Sequence, residues 1–232
     1  MLLVPHQGPF LQRASRVFVL NNEEKAFGLL LLKSMRVSVV QNGIFPPEIN
    51  PHLSKEPYLL FLGRLHPEKG PDLLIEAFSK YKSEFTLKIA GSDFGMLHSL
   101  QEQCEKLGLK GRVEFLGHVK EGKQALIQKA ILLVVPSRAE GFGMVILEAL
   151  SLGTPVLISA GCRFGDVEKW GVGYRSEVDA DSLSHTLKAA LSNPIELTKR
   201  GQAGIAFVKE QFTWGKIICS YIEEYDALCS SE

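Results

Sequence analysis

The residues most suggestive of chemistry are two carboxylates, Glu140 and Glu148, in the stretch PSRAEGFGMVILEAL that spans residues 136–150. Glu140 directly precedes a glycine pair that brackets Phe142, whereas Glu148 falls inside the helix predicted to follow. A carboxylate offers only hydrogen-bond acceptors, so it suits the neutral hydroxyls of a ribose or another sugar. The alternative for Glu148, an ordinary surface position, is weakened by its apolar neighbours. The two glutamates are therefore candidates to hold different parts of one ligand.

The glycines beside the first carboxylate, Gly141 and Gly143, would let the backbone approach that ligand closely. The amides of Gly143, Met144 and Val145 would stand at a helix N-terminus, where they have no partner within the helix and form a ready site for an anion. The first turn of this helix carries no acidic residue, which suits a bound phosphate. The stretch thus combines an anion site with carboxylates that accept hydroxyls.

A second loop, GRLHPEKG, supplies two cations, Arg64 and Lys69, with Pro67 between them. At the carboxyl end of a parallel strand, two such cations can clamp a pyrophosphate, because arginine gives planar bidentate bonds and lysine gives a compact point charge. A solvated loop with two ordinary surface cations is the alternative, and spacing alone does not decide between the two.

These loops need a scaffold, and the sequence predicts one from residue 58 onward. Apolar runs of strand length alternate with amphipathic stretches of helical period. Predicted strands cover 58–64, 86–91, 112–117, 131–137, 155–160 and 171–175, and the predicted helices between them cover 71–81, 96–109, 123–130 and 144–153. This alternation favours an α/β fold with a doubly wound, Rossmann-like parallel sheet. Ligands of such sheets bind at the carboxyl ends of the strands, where both loops lie.

The two ends of the chain differ from this core. Residues 1–43 contain one strand–helix–strand unit, too small to bury a core of its own, and are predicted to be the tail end of another domain. A proline-rich linker is predicted at 44–57 and the main domain at 58–212. The stretch 213–232 is predicted to form a last helix. The apolar remnant at 16–40 is expected to promote self-association.

Composition narrows the classes of function. Lys and Arg total 26, and Asp and Glu also total 26, so the formal net charge is zero. The chain therefore lacks the basic footprint of nucleic-acid binders and of proteins held on anionic membranes. The longest apolar run, 27–32, is too short to cross a bilayer, and the N-terminus lacks the features of a signal peptide. We therefore expect a cytoplasmic protein with no nucleic-acid partner.

No metal site is expected. The four cysteines show no metal-ligand spacing. Asp179 and Asp181 form a D-x-D pattern that can bind a metal, but they stand at the start of a helix predicted over 181–192. An aspartate is the expected N-cap there and interacts favourably with the helix dipole.

Taken in order, several motifs resemble a known family. They are VVQNGI at 39–44, FLGRLHPEKGPDLLIEAF at 61–78, RVEFLGHV at 112–119, PSRAEGFGMVILEALSLGTPVL at 136–157 and FTWGKIICSYIEEYDAL at 212–228. This ordered set resembles the donor-binding half of the family 4 glycosyltransferases, which have the GT-B fold. The resemblance covers about residues 36–229. It implies that 1–43 is the remnant of an N-terminal acceptor domain, that 58–212 binds the donor, and that the last helix returns toward the N-terminal domain.

The resemblance implies which residues carry the chemistry. Arg64 and Lys69 would bind the diphosphate of a nucleotide-sugar donor and offset its charge as the glycosidic bond breaks. The transferred sugar would be held by Glu140 together with the backbone of residues 141–143. Members of this family retain anomeric configuration and use neither a metal nor another cofactor, so the same chemistry is expected here.

The resemblance also implies how the rest of the donor is held. The amides of Met144 and Val145 would meet phosphate, and Glu148 would accept hydrogen bonds from the ribose. The loop at His118 and Val119 would line the base. These assignments agree with what the residues suggest by themselves.

The sequence departs from that family in two places. Only a remnant of the acceptor-binding domain is visible, in which His6 could be the histidine that members place near the reacting carbon; a repositioned terminus is the alternative, because the segment joining it to the strand at Val17 is short. The stretch 159–167 stands where many members have a glycine pair before Pro-Glu. Cys162 and Arg163 therefore leave the donor-sugar contact open there.

From the resemblance we expect a hexosyltransferase-like enzyme that moves a sugar from a nucleotide-diphosphate sugar to the hydroxyl of a saccharide, a lipid or a small molecule. This chain would carry the donor-binding half and would be inactive alone. Two alternatives stay open. One is a non-catalytic nucleotide-sugar-binding module, which could pair with a separate acceptor-domain chain. The other is a phosphorylase or a sugar-nucleotide epimerase on the same fold.

Overall fold

The computed structural model describes residues 8–31, 33–81 and 84–230, and the chain divides into two compact units. The smaller unit combines the two ends of the chain, Met1–Phe45 and Gln211–Glu232, and the larger unit is Pro46–Glu210. His6, the residue proposed for the acceptor side, lies outside the described residues. Where the chain is described, no helix has both the length and the apolar character needed to cross a membrane.

The elements of the smaller unit, numbered along the chain, are α1 (Gly8–Arg13), β1 (Val17–Val19), α2 (Asn22–Leu31), β2 (Val37–Val39) and, near the C-terminus, α9 (Trp214–Cys229). Strands β1 and β2 pair in parallel. The ring of Phe18 packs edge-on against Tyr221 and Tyr225 of α9, with centroid separations of 5.1 and 5.7 Å. The N–H of Ile44 donates to the carbonyl of Phe212 at 2.7 Å. These contacts join the two chain ends into one unit.

The larger unit contains the alternating elements that the sequence predicts. Its strands are β3 (Glu56–Leu62), β4 (Thr86–Ala90), β5 (Val113–Gly117), β6 (Ala130–Val135), β7 (Val156–Ser159) and β8 (Gly173–Ser176). Its α-helices are α3 (Pro71–Ser79), α4 (Leu97–Lys106), α5 (Lys123–Lys129), α6 (Met144–Ser151), α7 (Ala180–Leu191) and α8 (Pro194–Gln211), the last of which ends one residue into the smaller unit.

The strands of the larger unit form one parallel sheet in the order β5-β4-β3-β6-β7-β8. The chain starts in the middle, runs outward through β4 and β5, returns to place β6 beside β3, and then runs outward on the other side. This confirms the predicted α/β fold with a doubly wound parallel sheet. The order reverses between β3 and β6, and the crevice at such a reversal is where these sheets bind ligands.

The core explains why the central strands are apolar without alternation. Residues 58–61 of β3 and 132–135 of β6 are buried, because helices cover both faces of the sheet. Helix α3 contributes Leu74, Ile75 and Phe78, each with no exposed surface. Burial of that many large side chains fixes the ends of β3 and β6, and so the walls of the crevice between them.

Glycines end three neighbouring strands at the carboxyl edge. Gly63 follows β3, Gly91 follows β4, and Gly117 is the last residue of β5. Gly91 has a φ of 155°, and a Cβ placed on it would lie 1.7 Å from the carbonyl oxygen of Gly63. The backbones of these two loops therefore touch, and only glycine permits the approach.

Some boundaries differ from the sequence-based predictions. Strand β3 begins at Glu56, inside the stretch predicted as a linker over 44–57. The prediction missed this start because the prolines of the stretch mask the strand pattern. Pro57 cannot donate to a neighbouring strand, and the pairing of β3 with β6 shifts in register between Glu56 and Leu59. Helix α1 was not predicted, since its six residues are too few to show a helical period.

Candidate functional site

A cavity of about 250 Å³ opens at the point where the strand order reverses. One wall is the end of β3, residues 61–64, and the opposite wall is the end of β6 with Ser137. The start of α6 closes a third side, and Lys69 and Glu140 complete the lining. The cavity therefore brings together residues from both loops singled out by the sequence: Arg64, Lys69, Glu140, Gly143, Met144 and Val145.

The loop after β3 is held by its neighbour and by its own short helix. Leu65 donates its N–H to the carbonyl of Ser92 at 2.9 Å and accepts from the N–H of Phe94 at 3.2 Å. A 3₁₀ helix follows at Pro67–Lys69, and its C-cap is Gly70, whose φ of 66° is left-handed. The exposed guanidinium of Arg64 lies 5.3 Å from the ring centroid of Phe94, within the range of a cation–π contact.

Lys69 and Glu140 are brought together across the cavity. The ammonium of Lys69 donates to the carboxylate of Glu140, and both side chains are less than one-fifth exposed. The approach of their loops requires glycine, because a Cβ on Gly70 would lie 2.2 Å from the carbonyl oxygen of Pro136. The lysine keeps further donors for a ligand, since an ammonium has three. A cation and a carboxylate thus stand side by side in the lining of the cavity.

The segment that departs from the family pattern packs beneath the Glu140 loop. Glu140 donates its N–H to the carbonyl of Gly161 at 3.0 Å and accepts from the N–H of Arg163 at 2.9 Å. Cys162 is fully buried, and its thiol donates to the carbonyl of Val135 at 3.4 Å. Burial raises the pKa of this thiol above its ordinary value. Cys162 therefore supports Glu140 from below and does not line the cavity.

Helix α6 begins at the cavity with an uncapped N-terminus. Gly143, the N-cap, has a left-handed φ of 69° and gives no side-chain cap, and the first turn has no acidic residue. The amides of Met144 and Val145 stand in that first turn, where a helix supplies no acceptor of its own. Together with the helix dipole they give this wall of the cavity a positive electrostatic potential, which is what the predicted anion site requires.

Glu148 has a partner that the sequence did not reveal. The Nζ of Lys123 lies 2.8 Å from Oε1 of Glu148 and 2.6 Å from Oε2. In this structure Glu148 forms an ion pair, and its role as an acceptor for ribose hydroxyls stays a prediction. Lys123 is the first residue of α5 and stands 25 positions before Glu148, so only the packing of α5 against α6 brings them together.

The loop predicted to line a base follows β5, on the β4 side of the sheet. His118 is exposed, and its Nδ1 lies 3.4 Å from the hydroxyl of Ser92. Val119 is half-buried beside it. Neither residue lines the cavity at the switch point, but both stand at the same carboxyl edge of the sheet.

The D-x-D residues have structural roles. Asp179 is the N-cap of α7 and accepts from the N–H of Ser182 at 2.7 Å, which confirms the predicted cap. Asp181 forms an ion pair with Lys80 at 2.8 Å. Within the described ranges, no group of three or more His, Cys, Asp or Glu side chains is arranged to hold a metal ion.

Comparison with known proteins places this site in a family context. The sequence profile described as "Glycosyl transferases group 1" matches residues 46–207, which include the whole cavity lining. A curated relative, the D-inositol 3-phosphate glycosyltransferase of Mycolicibacterium paratuberculosis, is 31% identical over 179 residues, 71% of this chain and 40% of the relative.

Solved structures share the fold. The sucrose-phosphate synthase of Thermosynechococcus elongatus superposes with a TM-score of 0.83 at 24% identity, over 97% of this chain and 61% of that chain. The Anabaena protein HepE, crystallised with UDP and glucose, superposes with a TM-score of 0.83 at 22% identity, over 96% of this chain and 66% of that chain. The chain spans 36–54% of the length of three curated relatives that it matches.

Proposed function

The chain belongs to the glycosyl transferases of group 1, and on this premise we propose that it carries the donor-binding half of a family 4, retaining glycosyltransferase with the GT-B architecture. The observation that supports this most is the convergence of Arg64, Lys69, Glu140 and the N-terminus of α6 on one cavity at the switch point of the sheet. Two cations, one carboxylate and free helix amides match a ligand that is anionic at one part and hydroxylated at another.

In this proposal each group meets one part of a nucleotide-diphosphate sugar. The amides of Met144 and Val145, with Arg64 and Lys69, bind the diphosphate. Glu140 accepts hydrogen bonds from the sugar, and the backbone of residues 141–143 helps to hold it. The HepE structure was determined with UDP and glucose, which supports a nucleoside diphosphate as the leaving group and a hexose as the transferred group.

The nucleoside is proposed to lie along the outer part of the same edge. Glu148 exchanges part of its contact with Lys123 for the ribose hydroxyls, and the loop at His118 and Val119 lines the base. Because Lys123 and Glu148 are both partly exposed, at 37% and 28%, a diol can reach the pair from solvent.

The reaction proposed for the whole enzyme breaks the bond between the anomeric carbon and the diphosphate oxygen. The acceptor hydroxyl forms the new bond to that carbon and passes its proton to the departing diphosphate oxygen, with retention of configuration. Arg64, Lys69 and the α6 dipole stabilise the charge that develops on the departing diphosphate, and as preorganised groups they need little rearrangement to do so. No metal takes part in this proposal, so transfer by a complete enzyme persists in excess chelator.

A second candidate, a nucleotide-sugar-binding module without catalysis of its own, is favoured by one observation. The cavity lies wholly within the unit Pro46–Glu210, and the chain spans 36–54% of the length of three curated relatives. The groups proposed to bind a donor therefore all lie within one unit of this chain. An acceptor saccharide, lipid or small molecule, or a separate acceptor-domain chain, completes the reaction under the first proposal.

The experiment that tests the proposal is calorimetry of the chain with UDP, GDP and ADP, with their nucleosides, and with UDP-glucose, GDP-mannose and ADP-glucose. We expect one nucleoside diphosphate to bind with a Kd on the order of 10⁻⁵–10⁻³ M. Lys69→Ala should weaken binding of that diphosphate by about 1.5–3 kcal/mol, the worth of a charge-assisted contact, and leave binding of the nucleoside unchanged. Equal losses for both ligands would contradict the diphosphate assignment.

Two activity assays test the alternatives. Sugar transfer by this chain would exclude a non-catalytic binding module, and transfer of the sugar to inorganic phosphate would favour a phosphorylase.

A further inference from the structure

Arg138 lies two residues before Glu140, and its guanidinium reaches the other loop of the site. Nη1 donates to the carbonyl of Pro67 at 2.7 Å and to Oδ1 of Asp72 at 2.9 Å, and Nη2 donates to Oδ2 of Asp72 at 2.6 Å. A backbone bond runs beside them, from the N–H of Arg138 to the carbonyl of Glu68 at 2.7 Å. The planar fork of arginine thus makes a bidentate bond to Asp72 and a third bond to backbone.

These bonds hold the chain on both sides of Lys69. Pro67 and Glu68 belong to the 3₁₀ helix that ends at Lys69, and Asp72 lies in the first turn of α3. The Arg138–Asp72 bridge therefore crosses the same gap as the contact between Lys69 and Glu140. A lysine side chain is flexible, so its own contact cannot fix the separation of the two loops.

The geometry of this bridge gives more than stability. The side chains of Arg138 and Asp72 are 38% and 32% exposed, so water screens the ion pair, although a bidentate arginine–carboxylate pair keeps more strength than an ordinary surface pair. The bridge also fixes the orientation of the two loops, because one rigid guanidinium donates three hydrogen bonds to two residues on the other side, Pro67 and Asp72. Such a group restricts how one loop can slide or tilt against the other.

We propose that Arg138 is a positioning residue for the donor site, with Asp72 as its partner, and that the bridge sets the distance between Lys69 and Glu140. This inference rests on the proposed function, because it assigns the two sides of the gap to the diphosphate and the sugar of one donor. With the bridge intact, a ligand that reaches Lys69 also meets Glu140 in register. Without it, the backbone bond from Arg138 to Glu68 still joins the two loops, but they can tilt against each other, and the second contact strengthens the first less.

The first test measures how much affinity the sugar adds to the diphosphate, by calorimetry of the full chain with UDP-glucose, GDP-mannose and ADP-glucose and with the three diphosphates. Arg138→Gln should weaken binding of the nucleotide sugar about tenfold, which corresponds to about 1.4 kcal/mol. It should remove most of the gain from the sugar, which is the extra affinity of the nucleotide sugar over the bare diphosphate. Arg138→Lys should recover little, because an ammonium cannot reproduce the fork. Asp72→Asn should have a smaller effect in the same direction, since one acceptor oxygen remains.

Arg200→Gln is the matched control. Arg200 also donates to a carboxylate, Glu196 at 2.9 Å, and to a backbone carbonyl, that of Gly173, but it lies on α8 and does not line the cavity. The control should lower the unfolding temperature and leave the gain from the sugar as in the wild type. If Arg200→Gln removes that gain as well, the effect of Arg138→Gln is general destabilisation and the positioning role is wrong.

A second test needs no ligand. Thermal unfolding of Lys69→Met, Glu140→Gln and the double variant gives the coupling between the two side chains, in the wild type and in Arg138→Gln. We expect the coupling to fall by at least half without the bridge. If the wild type binds a nucleotide sugar but Arg138→Gln changes neither the gain nor the coupling, the bridge has no positioning role and the proposed function stands. If no nucleotide sugar binds the wild type, the proposed function fails, and the Lys69–Glu140 coupling alone then tests the positioning role of Arg138. An unchanged coupling in Arg138→Gln would show that the role is wrong, and a reduced coupling would support it.

Discussion

Two lysine–glutamate pairs flank the proposed donor site, and they are built differently. Lys69 and Glu140 lie on loops at the ends of two neighbouring strands, whereas Lys123 and Glu148 lie on the packed helices α5 and α6. The loop pair lines the cavity and is less than one-fifth exposed, and the helix pair lies outside the lining and is more open to solvent. The loop pair depends on close backbone contacts, while the helix pair depends on helix packing.

The difference shows in the left-handed glycines beside each lysine. Gly70 follows Lys69 with a φ of 66°, and Gly122 precedes Lys123 with a φ of 73°. A Cβ on Gly70 would meet the carbonyl oxygen of Pro136 at 2.2 Å, but a Cβ on Gly122 would meet nothing within 4 Å. Gly122 is required by its backbone angle alone, whereas Gly70 is required by its backbone angle and by its contact with the loop at Pro136.

The largest expected effect follows from that contrast. Gly122→Ala should lower the free energy of unfolding by about 1–2 kcal/mol, the strain of an L-residue in the left-handed region. Gly70→Ala carries the same strain and must also push the loop from Pro136, so it should cost at least about 3 kcal/mol and weaken binding of the nucleoside diphosphate. Chemical denaturation of both variants measures the difference. Equal losses would mean that the loops are not held in contact in solution.

Much of this fold is readable from the sequence because it depends on local patterns. The apolar runs of β3 and β6 and the period of the helices predict the doubly wound sheet, and the rule for switch points then predicts which edge carries the site. The stretch before Met144 also predicts an anion-binding helix start, since an uncapped first turn is a property of adjacent residues.

The partners of the charged groups could not be predicted, because they depend on tertiary packing. Lys123 meets Glu148 across 25 residues, and Arg138 meets Asp72 across 66. Neither separation matches a helical or strand period, so no pattern links these residues. The sequence likewise placed Cys162 where many members of the family have a glycine pair, and it could not show whether this residue contacts the donor sugar. Only the packing against the Glu140 loop shows that Cys162 is buried.

Substitutions of Glu148 and Glu140 should weaken binding of different ligands, by an intermediate amount. Glu148→Gln should weaken a ribonucleotide by about 1–2 kcal/mol, because an amide donates where the carboxylate accepted, and should hardly affect the 2′,3′-dideoxy analogue. Glu140→Gln should leave binding of the bare diphosphate unchanged or slightly stronger, because Lys69 loses its ion-pair partner, and should weaken binding of the sugar-bearing donor alone. Calorimetry with the four ligands decides this. If Glu140→Gln weakened both the diphosphate and the sugar nucleotide alike, its role would be structural and the assignment to the sugar would be wrong.

The smallest expected effect is the difference in strength between the two pairs themselves. Double-mutant cycles should give a coupling of about 1–2 kcal/mol for Lys69 with Glu140 and about 0.5 kcal/mol for Lys123 with Glu148, because exposed pairs are screened by water and must order two flexible side chains. Raising the salt concentration to about 1 M, where the Debye length is about 3 Å, should reduce the second coupling more than the first. The cycles use Lys69→Met with Glu140→Gln and Lys123→Met with Glu148→Gln, followed by thermal unfolding at low and high salt. A larger or more salt-resistant coupling for the helix pair would reverse the comparison, because it would show that helix packing, and not the contact of the two loops, gives a lysine–glutamate pair its strength here.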